Sequence, residues 1–188
     1  METSLKKHQK SKKMKIIVIT IVSFLALSCS NKPTLQKYFV ENTENKDFIA
    51  LDVSPSILKV DEMSLSESEE KALETFDKMN IIAFKKDSIN EVKLNDEVTK
   101  VKSILKGEEY QQLMRFGSSK QGAAIYFIGE DDDIDEFVVY VNNATSGFAL
   151  VRILGDNMNP NDVMTLFEIM RKSKVDLDQL KPLEGILK

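Results

Sequence analysis

The chain lacks tryptophan and has one cysteine, one histidine, four prolines and seven glycines among its 188 residues. The histidine, His8, and the cysteine, Cys29, both lie within the first thirty residues. The rest of the chain therefore has no imidazole base, no thiolate nucleophile, no disulfide and no zinc site built from histidine and cysteine. What remains is carboxylate chemistry, a serine–lysine pair or oxygen ligands for a hard cation. We therefore expect a protein that is not an enzyme and that needs no cofactor.

Residues 1–15 are basic, with six lysines and one acidic residue, and an uncharged apolar run follows from Ile16 to Leu27. Twelve helical residues span about 18 Å, which is too short for a hydrocarbon core of about 30 Å. A basic leader before a run of this length is typical of a secretory signal peptide. The run has no polar face, which disfavours the alternative of a buried core helix. Both Met1 and Met14 are open as the start, because residues 14–29 alone make a short signal.

The apolar run leads into the sequence L-A-L-S-C, which ends at Cys29. It resembles the lipobox of bacterial lipoproteins, in which an aliphatic residue and small residues precede an invariant cysteine. Ser28 fits this pattern, whereas Ala26 and Leu27 are not the commonest residues at their positions. The resemblance implies that Cys29 carries several acyl chains, palmitate among them, each stabilising membrane attachment by about 0.8 kcal/mol per methylene. The alternative is an ordinary cleaved signal next to an unpaired cysteine.

The expected parts are a lipoprotein signal peptide over residues 1–28, a tether over 29–32 and one globular domain over 33–188. In related bacteria, acidic residues just after the lipidated cysteine can direct lipoproteins to the cell surface. Ser30 to Lys32 supply none. We therefore expect a membrane-anchored protein of the cell envelope that faces the periplasm, with inner and outer membrane both open.

Acidic residues outnumber basic ones once the leader is set aside. Without residues 1–28 the chain carries 20 basic and 29 acidic residues, a net charge of −9. Nucleic-acid-binding proteins need a basic footprint, and no lysine and arginine cluster interleaved with aromatic residues follows Cys29. We therefore expect no nucleic acid partner. The expected partners are the membrane, through the lipid, and an unidentified envelope protein.

Hydrophobic periodicity predicts the order of helices and strands. A first helix is expected over about 33–42, followed by a strand over 48–58 that Pro55 interrupts, because proline cannot donate to a sheet ladder. Ser66 and Glu69 predict a capping box, which opens a helix whose apolar stripe reaches Phe76 and Met79. The run I-I-A-F then predicts a second strand.

The second half of the chain predicts one more helix, a run of strands and a final helix. Apolar residues from Leu94 to Leu105 recur at helical spacing, and Gly107 ends that helix. Asn159 and Pro160 open the final helix. Its inward residues are taken to be Val163, Leu166, Phe167 and Met170. Between these helices, four β-rich runs are expected, namely Y-Q-Q-L-M-R-F, A-A-I-Y-F-I, E-F-V-V-Y-V and F-A-L-V-R-I-L. We predict a single α+β domain with a mixed or antiparallel sheet that ends in a β-meander and has its helices mainly on one face.

An acidic run spans residues 130–136, with six carboxylates in seven residues. Asp131, Asp133 and Asp135 alternate as in a calcium loop, which makes them candidate cation-binding residues. The EF-hand pattern needs glycine and glutamate where Glu136 and Asn142 stand. The alternative is a solvated hairpin tip whose charges protect the strand edges from aggregation.

Ser88 is a candidate site of O-glycosylation. The sequence Asp87-Ser88-Ile89 matches the short Asp-Ser-aliphatic acceptor pattern that exported proteins of such bacteria can carry. The alternative is a turn after a strand, where aspartate and serine are favoured.

Several soft motifs occur together, one ending at Cys29 and three between about Pro33 and Gly155. They are the lipobox, the helix S-E-S-E-E-K-A-L-E, the strand Y-Q-Q-L-M-R-F and the hairpin I-D-E-F-V-V-Y-V with F-A-L-V-R-I-L-G. In this arrangement the chain resembles a family of small Bacteroidetes lipoproteins catalogued as a domain of unknown function with the serial number 4252. The resemblance implies a lipid anchor in the envelope and brings no activity and no site residues.

The function expected is therefore that of a lipid-anchored, non-enzymatic interaction or regulatory module of the cell envelope. The alternative is a lipoprotein that binds a cation or a small polar ligand through the acidic hairpin 130–136.

Overall fold

The computed structural model describes residues 32–58, 60, 64–87, 89–118, 120–131 and 133–173. The chain divides into two units, Met1–Pro33 and Thr34–Lys188. All the elements described below belong to the second unit. Cys29 and Ser88 lie outside the described residues.

The centre of the described part is a six-stranded sheet in which every pairing is antiparallel. Its strands lie in the order β1-β2-β6-β5-β4-β3. They are β1 (Phe48–Val53), β2 (Phe76–Lys85), β3 (Gln111–Gly117), β4 (Gln121–Glu130), β5 (Asp133–Asn143) and β6 (Gly147–Met158). The strands β3 to β6 follow one another as hairpins, so the predicted α+β class, antiparallel sheet and terminal meander are confirmed.

Helices precede and follow the strands in the predicted order. They are α1 (Leu35–Asn42), α2 (Glu67–Glu74), α3 (Glu91–Ile104) and α4 (Pro160–Lys172). Ser66 and Asn159 each form a complete capping box with the third helical residue, Glu69 and Asp162 respectively. Such boxes satisfy backbone N–H groups that the first helical turn leaves without partners. The predicted capping box at Ser66 and Glu69 and the predicted helix start at Asn159 and Pro160 are both confirmed.

Two boundaries differ from the prediction. The strand expected to reach residue 58 ends at Val53, and Pro55–Leu58 form a 3-10 helix. The stripe assigned to α2 is longer than the helix, because Phe76 and Met79 belong to β2. The register of β2 shifts between Phe76 and Lys78. This bulge lets residues three apart share one sheet face, a spacing that imitates a helix.

The helices cover both faces of the sheet, which corrects the expectation that they lie mainly on one face. Buried residues of α2 and α4 pack in one hydrophobic core, and those of α1 and α3 pack in another. In β2, Ile81 and Ala83 belong to the first core, whereas Ile82 and Phe84 belong to the second. Periodicity reveals that a helix has an apolar stripe, but it does not reveal which face of the sheet receives that stripe.

The core on the side of α1 and α3 contains a buried ion pair. Arg152 donates to both carboxylate oxygens of Glu136, from Nε at 2.7 Å and from Nη2 at 2.6 Å. Its Nη1 donates to Gln36 of α1 at 2.6 Å, and the guanidinium lies 5.3 Å from the ring centre of Phe39. One arginine of β6 therefore connects the sheet to α1.

On α4 the inward residues are Val163, Leu166 and Ile169, whereas Phe167 is 41% exposed. The prediction that Phe167 points inward is therefore wrong. Ile169 continues the stripe of Val163 and Leu166 at spacings of three, and Phe167 lies next to that stripe on the solvent side.

Among the described residues, no helix has the length and apolar character needed to span a bilayer.

Candidate functional site: an apolar patch beside the edge strand

An apolar patch lies on the sheet face that α2 and α4 cover, at the end of the sheet formed by β3, β4 and β5. We define the patch as Met114, Phe116, Ala123, Val139 and Val141. Phe116 is 58% exposed and Val141 is 42% exposed, and the other three side chains are half-buried. Large exposed apolar side chains that adjoin one another are characteristic of interaction sites.

The strand register brings the patch together. Phe116 pairs with Ala123, and Ala123 pairs with Val141, so these three side chains form a row across three strands. Directly paired residues in antiparallel strands project to the same face with Cβ atoms about 5 Å apart. Met114 lies two residues before Phe116 on β3, and Val139 lies two residues before Val141 on β5. Both pack against the core between the sheet and α4. The patch is therefore the exposed continuation of that core.

Polar residues border the patch at the far end of the sheet. Gln121 lies two residues before Ala123, Asn143 lies two residues after Val141, and the two pair with each other. Gln121 is exposed, and Asn143 is half-buried. An apolar centre with a polar border is the usual composition of a protein–protein interface.

Strand β3 is the outermost strand on this side of the sheet. Six of its seven residues are exposed, in contrast to the other edge strand, β1, which has one exposed residue. The register of β3 shifts between Gln112 and Met114, and such bulges protect sheet edges against uncontrolled pairing. The row at Phe116 lies beyond this bulge, where pairing with β4 is regular.

On the opposite face of the sheet, two tyrosine hydroxyls form hydrogen bonds with residues of α1 and α3. The Tyr38 hydroxyl donates to Glu97 at 2.8 Å, and the Tyr110 hydroxyl accepts from the Leu35 backbone at 3.1 Å. Desolvation by burial raises the pKa of both hydroxyls, that of Tyr110 to about 12. They are therefore neutral groups that hold α1 and α3 in place, and they provide no base at physiological pH.

The predicted cation-binding carboxylates lie at the hairpin that joins β4 and β5. Asp131 is in the turn, and Asp133 and Asp135 alternate along the start of β5 with exposed side chains. Within the part of the chain that the structure describes, no three histidine, cysteine, aspartate or glutamate side chains are grouped to hold a metal ion. Gly129, with φ of +123°, and a register shift after Ile128 accommodate the turn. Cation binding here stays a prediction.

The candidate glycosylation site and the candidate lipidation site, Ser88 and Cys29, fall outside the described residues. Beside Ser88, the Asp87 carboxylate accepts from the backbone N–H groups of Ile89 and Asn90, both at 2.9 Å. The turn explanation of the Asp-Ser pair therefore has direct support, and glycosylation of Ser88 stays a prediction.

The sequence places Phe116 and Val141 in two predicted strands but does not indicate that either side chain is exposed. The available signal was in β3, where the strand Q-Q-L-M-R-F alternates poorly and carries polar residues on both sides, as expected of an edge strand. Burial at an edge depends on what packs above the strand, which no local pattern specifies.

A model of a known protein family matches the part of the chain that contains the apolar patch. The family model described as Domain of unknown function (DUF4252) matches residues 38–166, more than half of the chain. The match begins in α1, spans all six strands and ends in α4. No curated protein and no solved structure gives a significant match.

Proposed function

The chain belongs to the family Domain of unknown function (DUF4252), and on that premise we propose that it is a non-enzymatic interaction module of the bacterial cell envelope, a lipoprotein of the kind found in Bacteroidetes. Its anchor is lipid on Cys29, and its soluble domain faces the periplasm. There it binds an envelope protein through the apolar patch.

The anchor and the location are supported by the sequence. A lysine-rich leader, an apolar run of twelve residues and the sequence L-A-L-S-C ending at Cys29 stand in the order that lipoprotein export requires. The absence of histidine and cysteine beyond Cys29 supports a role in binding rather than catalysis.

The apolar patch is the observation that carries the binding role. Exposing Phe116 and Val141, which lie on the two strands that flank β4, costs hydrophobic free energy, at roughly 25 cal/mol per Å² of apolar surface left in water. A partner that covers these side chains recovers that free energy. Aromatic residues, phenylalanine among them, are enriched in the buried core of protein–protein interfaces.

The test is crosslinking in intact cells that produce the full chain, followed by purification of the chain and its crosslinked partner. We expect the Phe116→Lys and Val141→Lys variants to recover at least tenfold less of the partner than the unaltered protein, because a lysine amine is costly to bury in an apolar contact. The matched control is Val40→Lys, at an apolar residue of α1 that is 66% exposed and lies away from the patch.

Thermal unfolding of all variants separates loss of binding from loss of folding. The proposal requires the patch variants to keep the unfolding temperature of the Val40→Lys control. If the unaltered chain captures no reproducible partner, or if all three variants capture it equally, the patch is not a docking site.

A further inference from the structure

A small cavity lies between the end of α3 and the strands β3, β4 and β5, on the sheet face that α1 and α3 cover, and Phe116 and Ala123 of the apolar patch also contribute to its lining. Its volume is about 50 Å³, and its lining includes Lys102, Arg115, Gly122, Ala124, Tyr140 and Asn142. A water molecule occupies about 30 Å³ in the liquid, so the cavity has room for one or two waters or for one group the size of a carboxylate.

The strand register explains why the cavity exists. Ala124 pairs with Arg115 on one side and with Tyr140 on the other, so a small residue stands between two long ones. The next residue on the same face of β4 is Gly122, which pairs with Asn142. Small side chains on β4 therefore leave a depression that α3, ending at Ile104, does not fill.

The Tyr140 hydroxyl is the first observation that indicates a ligand. Tyr140 is 7% exposed, and its hydroxyl oxygen is buried without a hydrogen-bond partner among the described residues. Leaving a buried polar group unpaired costs about 1–3 kcal/mol, and a bound acceptor would remove that cost. Desolvation by burial raises the pKa of Tyr140 to about 12, so the hydroxyl is a hydrogen-bond donor at neutral pH.

The second observation is a pair of cations in a chain whose net charge is −4. Arg115 and Lys102 both line the cavity, no carboxylate lines it, and neither cation forms an ion pair within the described residues. Arg115 is already oriented, because its Nε and Nη2 donate to Gln112 Oε1 at 3.1 and 2.8 Å and its Nη2 also donates to the Tyr126 hydroxyl at 3.1 Å. Its Nη1 group has no such partner in the described part of the chain.

We propose that this cavity is a binding site for a single carboxylate group, held by Arg115, Lys102 and the Tyr140 hydroxyl. An arginine side chain fixed by its neighbours binds a carboxylate with little further loss of side-chain entropy. The proposal does not depend on the apolar patch. The carboxylate belongs either to a free small acid or to the end of a peptide chain, and the experiment separates these two sources.

The experiment is calorimetric titration of the full chain in detergent with sodium acetate, against sodium chloride at the same ionic strength. We expect saturable binding of acetate that chloride does not reproduce, and affinities at least tenfold lower for Arg115→Gln and Tyr140→Phe. The matched control is Arg171→Gln, an exposed arginine of α4 outside the cavity, whose affinity for acetate should equal that of the unaltered protein.

A second titration uses trialanine and its C-terminally amidated form. Saturable binding of trialanine at least tenfold tighter than acetate, lost on amidation, assigns the site to a peptide terminus, whereas equal affinity assigns it to a free acid.

Without any carboxylate present, Tyr140→Phe should keep or raise the unfolding temperature, because it removes an unpaired buried hydroxyl. The proposal is overturned if acetate does not saturate, if chloride acts equally, or if Arg171→Gln weakens binding as much as Arg115→Gln.

Discussion

Glu136 and Arg152 differ from the other ion pairs of the described residues, because both side chains are less than a tenth exposed. The carboxylate accepts two hydrogen bonds from the guanidinium, which in turn reaches Gln36 and Phe39 of α1. Burying such a pair is costly, so replacing both residues by apolar ones often leaves stability unchanged. Removing one partner instead strongly destabilises the fold, because the other charge stays buried alone.

We expect Glu136→Ala to lower the free energy of unfolding by about 3–5 kcal/mol, because it leaves the Arg152 charge buried without its partner. Urea denaturation at neutral pH measures this change. Glu168→Ala is the control, since Glu168 and Lys172 are both exposed and 4.0 Å apart, and we expect it to cost less than about 0.5 kcal/mol. A loss at Glu136 no larger than that at Glu168 contradicts a structural role for the buried pair.

Individual side chains also mark the limit of sequence reasoning at this scale. The sequence predicts that Phe167 points inward and that Phe116 lies in a strand of the sheet, and both side chains are exposed. Each stands next to a buried stripe, so its hydrophobicity fits the local pattern. Whether such a residue is buried depends on the side chains that face it from another element. Those side chains are far away in the sequence.

The capping box of α2 is connected to α4 through one carboxylate. Glu69 Oε2 accepts from the Ser66 backbone at 2.9 Å and from the Ser66 hydroxyl at 2.8 Å, and Oε1 accepts from Lys172 Nζ at 2.9 Å. These contacts, the Ser66 backbone N–H first, lower the pKa of Glu69 from its ordinary value of 4.5 to about 2. The helix start and the contact between the two helices thus depend on the same ionised group.

The lowered pKa means that the Glu69 carboxylate binds a proton less tightly in the folded state than in the unfolded chain. Ionised Glu69 therefore stabilises the fold above about pH 4.5. That contribution is lost as the pH falls from about 4.5 to about 2. We expect Glu69→Gln to unfold at lower urea concentration than the unaltered protein at pH 7, with the difference shrinking across this window. Urea midpoints measured from pH 7 to pH 2 test this.

Glu67→Gln is the matched control for that series, since Glu67 is exposed in the same helical turn. Its urea midpoint should follow that of the unaltered protein at every pH. If the difference caused by Glu69→Gln is independent of pH, the ionised carboxylate is not the stabilising group.

Among the elements, those with strong local signals were predicted well. Capping boxes open α2 and α4, and Gly147 ends the turn between β5 and β6 with φ of +123°, a conformation that glycine adopts without strain. The end of α2 was misplaced because a bulge in β2 gives Phe76 and Met79 a helical spacing. A bulge has no sequence signature as definite as a cap, so the boundary required the strand pairing.

At the scale of the whole molecule, the proposed lipid on Cys29 determines where the domain resides. We expect the native protein to partition into the detergent phase and to carry acyl mass on Cys29, and we expect Cys29→Ser to remain in the aqueous phase without that mass. Several acyl chains at about 0.8 kcal/mol per methylene make such an anchor effectively permanent. Phase partition followed by intact-mass measurement provides the readout.

Ser30→Ala, one residue beyond the cysteine, is the control and should partition like the unaltered protein. Retention of residues 1–28 in the native protein, or equal partition of Cys29→Ser and the unaltered chain, argues against the lipid anchor. Neither result bears on the apolar patch or on the cavity, which belong to residues 102–142.

The order of amino acids by itself determined the α+β class, the meander of β3 to β6 and the helix caps, because hydrophobic periodicity and turn chemistry act between residues close in the chain. Only the tertiary structure decided that helices cover both sheet faces, that Phe116, Ala123 and Val141 form one row, and that Arg115, Tyr140 and Lys102 line one cavity. These juxtapositions depend on strand register and on which helix packs above which strand. Both are set by packing between segments far apart in sequence, where no local pattern carries the information.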